Sequence, residues 1–187
     1  MARMNRLARW LVNRRTISRA RRALQRLGPE LRLAPAASVL ELGSGGGGLL
    51  ALVHETFHPT RLVGTDYDPE QVGASRTFLT RRWGGLPPSV ELEEADALDL
   101  PYPDGSFDAV FAMMMLHHVE ERPTEYAERP KALREVRRVL RPGGIFVYSE
   151  IFRRAEIRGT LADLGFAQRY LRSGWRSDLA VYDAPAH

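Results

Sequence analysis

Apolar residues recur along this chain in two rhythms. Over residues 1–29 they fall at Met4, Leu7 and Leu11, then at Ile17, Ala20, Leu24 and Leu27. This spacing of threes and fours predicts helix. A break at Asn13-Arg14-Arg15 makes Thr16 or Ser18 the cap of a second helical stretch, and Gly28-Pro29 ends it. Beyond that point short apolar runs alternate with amphipathic segments. Strands are predicted at 38–42, 61–65, 90–94, 108–113 and 145–150, and helices at 47–56, 69–82, 131–140 and 155–164. Such alternation builds a parallel sheet with helices on both faces. After residue 164 the rhythm changes. Segments 166–171 and 176–182 flank Ser173-Gly174, and two strands joined by so short a turn pair antiparallel, so the sheet should close with a hairpin. The chain therefore reads as a helical arm, 1–29, followed by one α/β domain, 30–187.

Composition sharpens this picture in two ways. The 187 residues carry 27 Lys+Arg against 23 Asp+Glu, a balance of +4, with 44% hydrophobic residues, the profile of a soluble globular domain. The sum hides a division: residues 1–29 hold nine arginines and no acid, which leaves the remainder at −5. Lys131 is the sole lysine, and an Arg-favouring codon composition accounts for that more simply than phosphate recognition does. The absence of cysteine excludes disulfides, thiolate metal sites and a cysteine nucleophile. The apolar run at 109–116 is too short to span a bilayer, and no signal-type stretch follows the basic arm. A cytoplasmic location is the resulting expectation, and no metal site is expected.

The chemistry concentrates at the end of the first predicted strand, where Val39-Leu40-Glu41-Leu42 runs into Gly43-Ser44-Gly45-Gly46-Gly47-Gly48 and then into a helix. Glycines there let the backbone turn tightly and let a ligand approach a helix N-terminus. Gly43-x-Gly45-x-x-Gly48 also satisfies the dinucleotide fingerprint, so the loop alone admits a nicotinamide dehydrogenase. Glu41 argues otherwise, because a carboxylate facing the loop repels a pyrophosphate and holds an ammonium group. Asp66 ends the second strand, where an acid can take two ribose hydroxyls. Asp96 follows the third and can accept from an exocyclic amine. Asp108, at the start of the fourth strand, reads as a structural residue that holds a turn.

In series these segments resemble the class I S-adenosylmethionine-dependent methyltransferases of the small-molecule type. The likeness runs through Glu41-Leu-Gly-Ser-Gly-Gly-Gly47, Val63-Gly-Thr-Asp66-Tyr67-Asp-Pro69, Ala95-Asp96-Ala97 and Ser106-Phe-Asp108-Ala-Val110. It continues with Leu116-His-His-Val119 and 133–144, so that it covers roughly residues 35–185. It implies a Rossmann-like, doubly wound sheet of seven strands, mostly parallel, with an antiparallel terminal hairpin. It implies S-adenosylmethionine as cofactor, with Glu41 near the methionine amino group and Gly43 and Gly45 along the methionine part. Asp66 would sit on the ribose, Tyr67 on the adenine face and Asp96 on the adenine amine. Ser44, Gly47, Ala97 and Met113 complete the expected cofactor contacts.

Methyl transfer from a sulfonium is an in-line displacement that needs alignment and exclusion of water; a base matters only when the attacking atom must lose a proton. His117 and His118, on the carboxyl edge after the fourth strand, are the candidates. The stretch Ala112-Met113-Met114-Met115-Leu116 lacks the Asp/Asn-Pro-Pro-aromatic pattern of nucleobase amino methyltransferases and reads as an apolar pocket wall. A small organic or lipid-like acceptor is expected. Two segments could cover it, the arm and the stretch 120–130. The arm is expected to fold over the pocket as a lid, with Trp10 or a nearby apolar residue touching it. Its arginines could instead meet anionic lipid as a peripheral membrane contact, or nucleic acid as in an RNA methyltransferase. A non-catalytic S-adenosylmethionine-binding protein is a further alternative.

Overall fold

The computed structural model describes residues 18, 20–28, 30, 31, 33, 34, 36–122 and 124–186. In chain order the elements are α1 (20–27), β1 (Ser38–Leu42), α2 (Gly48–Phe57), β2 (Arg61–Asp66), α3 (Pro69–Trp83), β3 (Val90–Glu94) and β4 (Phe107–Met113). They continue with a 3-10 turn (Leu116–His118), α4 (Arg129–Val139), β5 (Leu140–Glu150), α5 (Arg154–Asp163), β6 (Ala167–Ser173) and β7 (Asp178–Asp183). The seven strands form one sheet in the order β3-β2-β1-β4-β5-β7-β6. All neighbours are parallel except those of β7, which runs antiparallel to both β5 and β6. The fold is the expected Rossmann-like doubly wound sheet with a reversed terminal hairpin.

The strands read as continuous apolar runs because both faces of the sheet are covered. Successive side chains therefore divide between two cores. Leu40 and Leu42, Val110 and Ala112, Phe146 and Tyr148, and Ala180 and Tyr182 join α4 and α5 on one face. Val39, Ala109 and Phe111, Ile145 and Val147, and Leu179 and Val181 join α1 and α2 on the other. The helix of the arm belongs to that second core through Ala20, Ala23, Leu24 and Leu27, the positions its periodicity predicts. Ser18 is already helical rather than a cap. Met4, Leu7, Trp10, Leu11, the Asn13-Arg14-Arg15 break, Thr16, Ile17 and Pro29 lie outside the described residues.

Boundaries differ from the predicted ones mainly at β5. Leu140 pairs with Phe107 and Ile145 with Ala109, so Arg141-Pro142-Gly143-Gly144 bulges out between them. Asp108 holds this corner, as expected of a structural residue. One oxygen accepts from the Ser38 amide at 2.7 Å and the other from Arg141 Nη1 at 2.7 Å. The segment 120–130, expected as a possible cover for the acceptor, is anchored by buried Glu120 and Arg129 and is exposed at Glu121, Arg122, Thr124 and Ala127 between them. Glu120 accepts from the amides of Ala127, Glu128 and Arg129 at 3.0–3.2 Å, and its Oε1 lies 3.8 Å from Arg129 Nε. Arg129, fully buried, donates to the carbonyls of Leu116 and Phe152. These bonds satisfy the first amide of α4 and the two that precede it, and hold the segment against the α4 side of the sheet.

Candidate functional site

The sheet order reverses between β1 and β4, and a cavity of about 1280 Å³ opens at the carboxyl ends of the strands beside that point. Strand alternation selects its lining. Glu41, Met113, Ser149 and Leu179 point to the α1 and α2 face and line the cavity, whereas Glu150 points to the opposite face. Loop residues Gly43, Ser44, Gly45 and Gly46 form one wall, Asp66, Tyr67, Asp68, Asp96 and Ala97 another. The arm contributes Ala20, Arg22, Ala23 and Arg26, and the β6–β7 hairpin contributes Arg176 and Ser177. Among the described residues no group of His, Asp and Glu is placed to hold a metal ion.

The glycine loop turns through three left-handed residues, Gly43 (φ 67°), Gly45 (φ 51°) and Gly47 (φ 75°). A Cβ on Gly43 would stand 2.7 Å from Met115 Cβ, so the close approach of β1 to the methionine run requires glycine there. A Cβ on Gly45 would meet nothing within 4 Å, because this glycine borders the cavity. The Ser44 amide donates to Thr65 O at 2.8 Å, the Gly45 amide to Asp66 Oδ2 at 2.9 Å, and Ser75 Oγ to Gly45 O at 2.6 Å. Asp66 therefore shapes the loop itself; its Oδ1 also accepts from the Asp68 amide at 3.1 Å, and each oxygen keeps a further lone pair. Asp96 makes a similar turn through Oδ1 and the Leu98 amide at 2.9 Å, leaving Oδ2 without a partner among the described residues. Tyr67 stands at the rim, 75% exposed.

Glu41 is the outlier. It is buried, and its Oε2 has no hydrogen-bond partner among the described residues. Burial holds its carboxyl well above the ordinary carboxylate range; the charge of Asp66 pushes the same way, and the backbone of Leu50 opposes. A buried acid with an unbonded oxygen on a cavity wall lacks a cation or donor, and an ammonium group supplies both. The adjacent acids, the open space before Gly45 and the exposed ring of Tyr67 fit a nucleoside with an amino acid end. They do not fit a pyrophosphate.

Two expected site residues fall elsewhere. Gly47 does not border the cavity; a Cβ there would press on Leu79 and Ser75 at 3.2–3.3 Å, so its glycine serves the contact between loop and α3. His117 is turned to Glu150, which lies on the opposite face and is fully buried. The His117 amide donates to Glu150 Oε2 at 3.0 Å, and the ring Nδ1 lies 3.0 Å from Oε1. Four polar hydrogens converge on that carboxylate, counting the amides of Ile151 and Phe152; the partnership with His117 and these amides outweighs desolvation and lowers its pKa. His118 does line the cavity, with its ring centroid 4.1 Å from that of His117. Partial burial and then the neighbouring His117 hold His118 below the usual imidazole value of 6.5, so it is neutral at neutral pH. Its amide donates to Met115 O, which follows Met114, a non-glycine residue at φ 60°. The cavity-lining Arg22, Arg26, Ile151 and Arg176 carry no motif in the sequence; only the folded chain brings them here.

A family model described as a methyltransferase domain matches residues 40–148. A fatty-acid O-methyltransferase of Mycolicibacterium smegmatis is 36% identical over 119 residues, 64% of this chain and 39% of that protein. A demethylmenaquinone methyltransferase of Thermus thermophilus is 38% identical over 112 residues, 60% of this chain and 46% of its own length. The chain thus spans less than half the length of these relatives. Among solved structures, an S-adenosylmethionine-dependent methyltransferase from Aquifex aeolicus superposes with a TM-score of 0.70 at 18% identity, covering 90% of this chain and 97% of that one.

Proposed function

This chain belongs to the Rossmann-like S-adenosylmethionine-dependent methyltransferases, and from that premise we propose that its cavity binds S-adenosylmethionine at the acidic end and a small organic or lipid-like methyl acceptor at the apolar end. The observation that carries this reading is the buried, unbonded Oε2 of Glu41 on the wall of a cavity that continues to Met113, Met114 and Met115. Glu41 holds the amino group of the cofactor, and Gly43, Ser44 and Gly45 give its methionine part room. Asp66 uses its remaining lone pairs on the ribose hydroxyls. Asp96 Oδ2 takes the adenine amine, with Tyr67 and Ala97 against the base and Met113 beside the sulfur end. When bound, the cofactor would supply an electrophilic methyl group to an acceptor lone pair attacking in line, the carbon–sulfur bond breaking as the new bond forms and the thioether leaving as S-adenosylhomocysteine.

The chain's own residues then have three tasks. The methionine wall, Val119 and Ile151 exclude water and hold an apolar acceptor. The arm serves as a wall and lid through α1, its alanines packed inward. Neutral His118 accepts the proton that a hydroxyl or amine acceptor loses as it attacks. The two relatives are named for a fatty acid and for demethylmenaquinone, acceptors that are largely hydrocarbon, in keeping with this wall.

The test is incubation of the full chain with labelled cofactor and separate pools of fatty acids, quinones, phenols and RNA. Label is expected in a small-molecule pool, with S-adenosylhomocysteine released in equal amount. Tight NAD binding without S-adenosylmethionine binding, or label in RNA alone, overturns the proposal. With a hydroxyl acceptor, His118→Gln should lower kcat about 100-fold. The wild-type rate should stay level across neutral pH and fall only as His118 gains a proton below 6.5. An unchanged kcat for the variant removes His118 from the chemistry.

A further inference from the structure

The acidic residues of the cavity lie on the β1, β2 and β3 side, and three arginines lie elsewhere on its wall. Arg22 and Arg26 are one turn apart on α1, and Arg176 stands on the β6–β7 hairpin. None of the three has a carboxylate partner among the described residues. Most other arginines of the domain are paired, as in Arg61 with Glu91, Arg82 with Glu55 and Arg138 with Glu135. Guanidiniums left unpaired around a cavity raise the local potential for an anion, and their fork matches a carboxylate or phosphate.

The hairpin tip is built to hold its arginine in place. Fully buried Asp178 accepts from Ser173 Oγ at 2.7 Å and from Arg154 Nη1 at 3.2 Å, and it also pairs with Arg158. Arg154 Nη1 donates in addition to Gly174 O at 2.6 Å, and the Gly174 amide to Ser177 O at 2.9 Å. On this pinned turn Trp175 is 83% exposed, and the Arg176 guanidinium lies over its ring, 4.1 Å from the centroid. That stacking restricts the side chain while leaving its donors available. Ile151, an exposed apolar residue, borders the same cavity.

Size completes the argument. A single small-molecule site occupies roughly 300–1,000 Å³. At about 1280 Å³ this cavity has room for a cofactor and a second molecule. The cofactor's one carboxylate is fully met by a single bidentate guanidinium and does not require all three. We propose that Arg22, Arg26 and Arg176 form a clamp for the anionic head, carboxylate or phosphate, of an amphiphilic acceptor whose apolar part lies along Met113–Met115 and Ile151. This assignment rests on the reading of the acidic end as the cofactor's, and it narrows the acceptor from lipid-like to anionic amphiphile.

Calorimetry with dodecanoate, dodecyl phosphate and dodecanol, each added to the full chain saturated with S-adenosylhomocysteine, tests the clamp. Either anion is expected to bind about tenfold or more tighter than the alcohol, the size of effect of a charge-assisted pair. Arg176→Gln, at an exposed position that should leave the fold intact, and the pair Arg22→Gln with Arg26→Gln should each remove about tenfold of that preference. Their affinity for S-adenosylhomocysteine should stay within about twofold of wild type. Equal binding of anion and alcohol overturns the clamp. So does a loss of S-adenosylhomocysteine affinity in the variants, which would give the guanidiniums to the cofactor's own carboxylate. Sedimentation with phosphatidylglycerol vesicles separates the remaining source of anions: variants that lose vesicle binding and keep dodecanoate binding assign the arginines to a membrane surface and overturn the clamp. Failure of the wild type to bind S-adenosylhomocysteine at all would strike the cofactor reading instead, and the preference for anion over alcohol is then read on the cofactor-free chain.

Discussion

Glu41 is buried beside Asp66, titrates high and leaves an oxygen unbonded, so the free protein bears a cost at this position that a ligand can relieve. A carboxyl whose native pKa is raised binds more protons folded than unfolded. Stability is therefore undiminished below the unfolded value, near 4.5, and falls as pH rises from there toward the native value. Glu41→Gln should remove this loss, so that above about pH 5 the wild type loses melting temperature relative to the variant as pH rises. The same change should weaken S-adenosylhomocysteine binding by about 1.5–3 kcal/mol. A variant that is less stable than wild type at neutral pH, or that binds equally well, contradicts this account. At this scale the sequence exposed Glu41, Asp66 and Asp96 because each stands at the end of a strand before a turn. It could not separate His117 from His118. Two neighbours on one short turn, with ring centroids 4.1 Å apart, differ in what they reach: His118 lines the cavity, and the carboxylate that claims His117 is 33 positions away.

Between elements, a few glycines set how closely helices and strands approach. A Cβ on Gly64, in β2, would come within 2.3 Å of Leu50 Cδ1 on α2, so the helix that follows the glycine loop rests directly on this backbone. Gly64→Ala should cost about 1–3 kcal/mol by overpacking, read as a lower urea midpoint, and should weaken cofactor binding because α2 and the loop move together. Gly73, within α3, meets nothing within 4 Å. Gly73→Ala should therefore stabilise by about 0.4–1 kcal/mol and leave binding unchanged. The elements themselves were legible from periodicity, most of them to within one or two residues. The role of segment 120–130 was not, because a polar, proline-containing stretch reads alike whether it covers a ligand or caps a helix. What decides between them is the burial of Arg129 and the three amides gathered by Glu120.

Across the whole molecule, one cavity gathers acids from the β1, β2 and β3 ends with arginines both from α1 of the basic arm and from the terminal hairpin of the acidic remainder. A ligand that spans native walls this far apart in sequence stabilises the fold by mass action. S-adenosylhomocysteine at about 100 times its Kd should add about 2.7 kcal/mol and raise the melting temperature by roughly 5–10 °C, whereas NAD at the same concentration should leave it unchanged. By itself the sequence determined the order of strands and helices, the reversed hairpin and the acids at the strand ends, because alternation, helical spacing and strand-end chemistry are local properties. The tertiary structure decided which face each strand-end side chain serves. It turned Glu150 and His117 away and Ser149 and His118 toward the cavity, and it brought Arg22, Arg26 and Arg176 together from opposite ends of the chain. Those outcomes depend on how the sheet twists and which helices cover it, and no stretch of sequence contains both sides of such a contact.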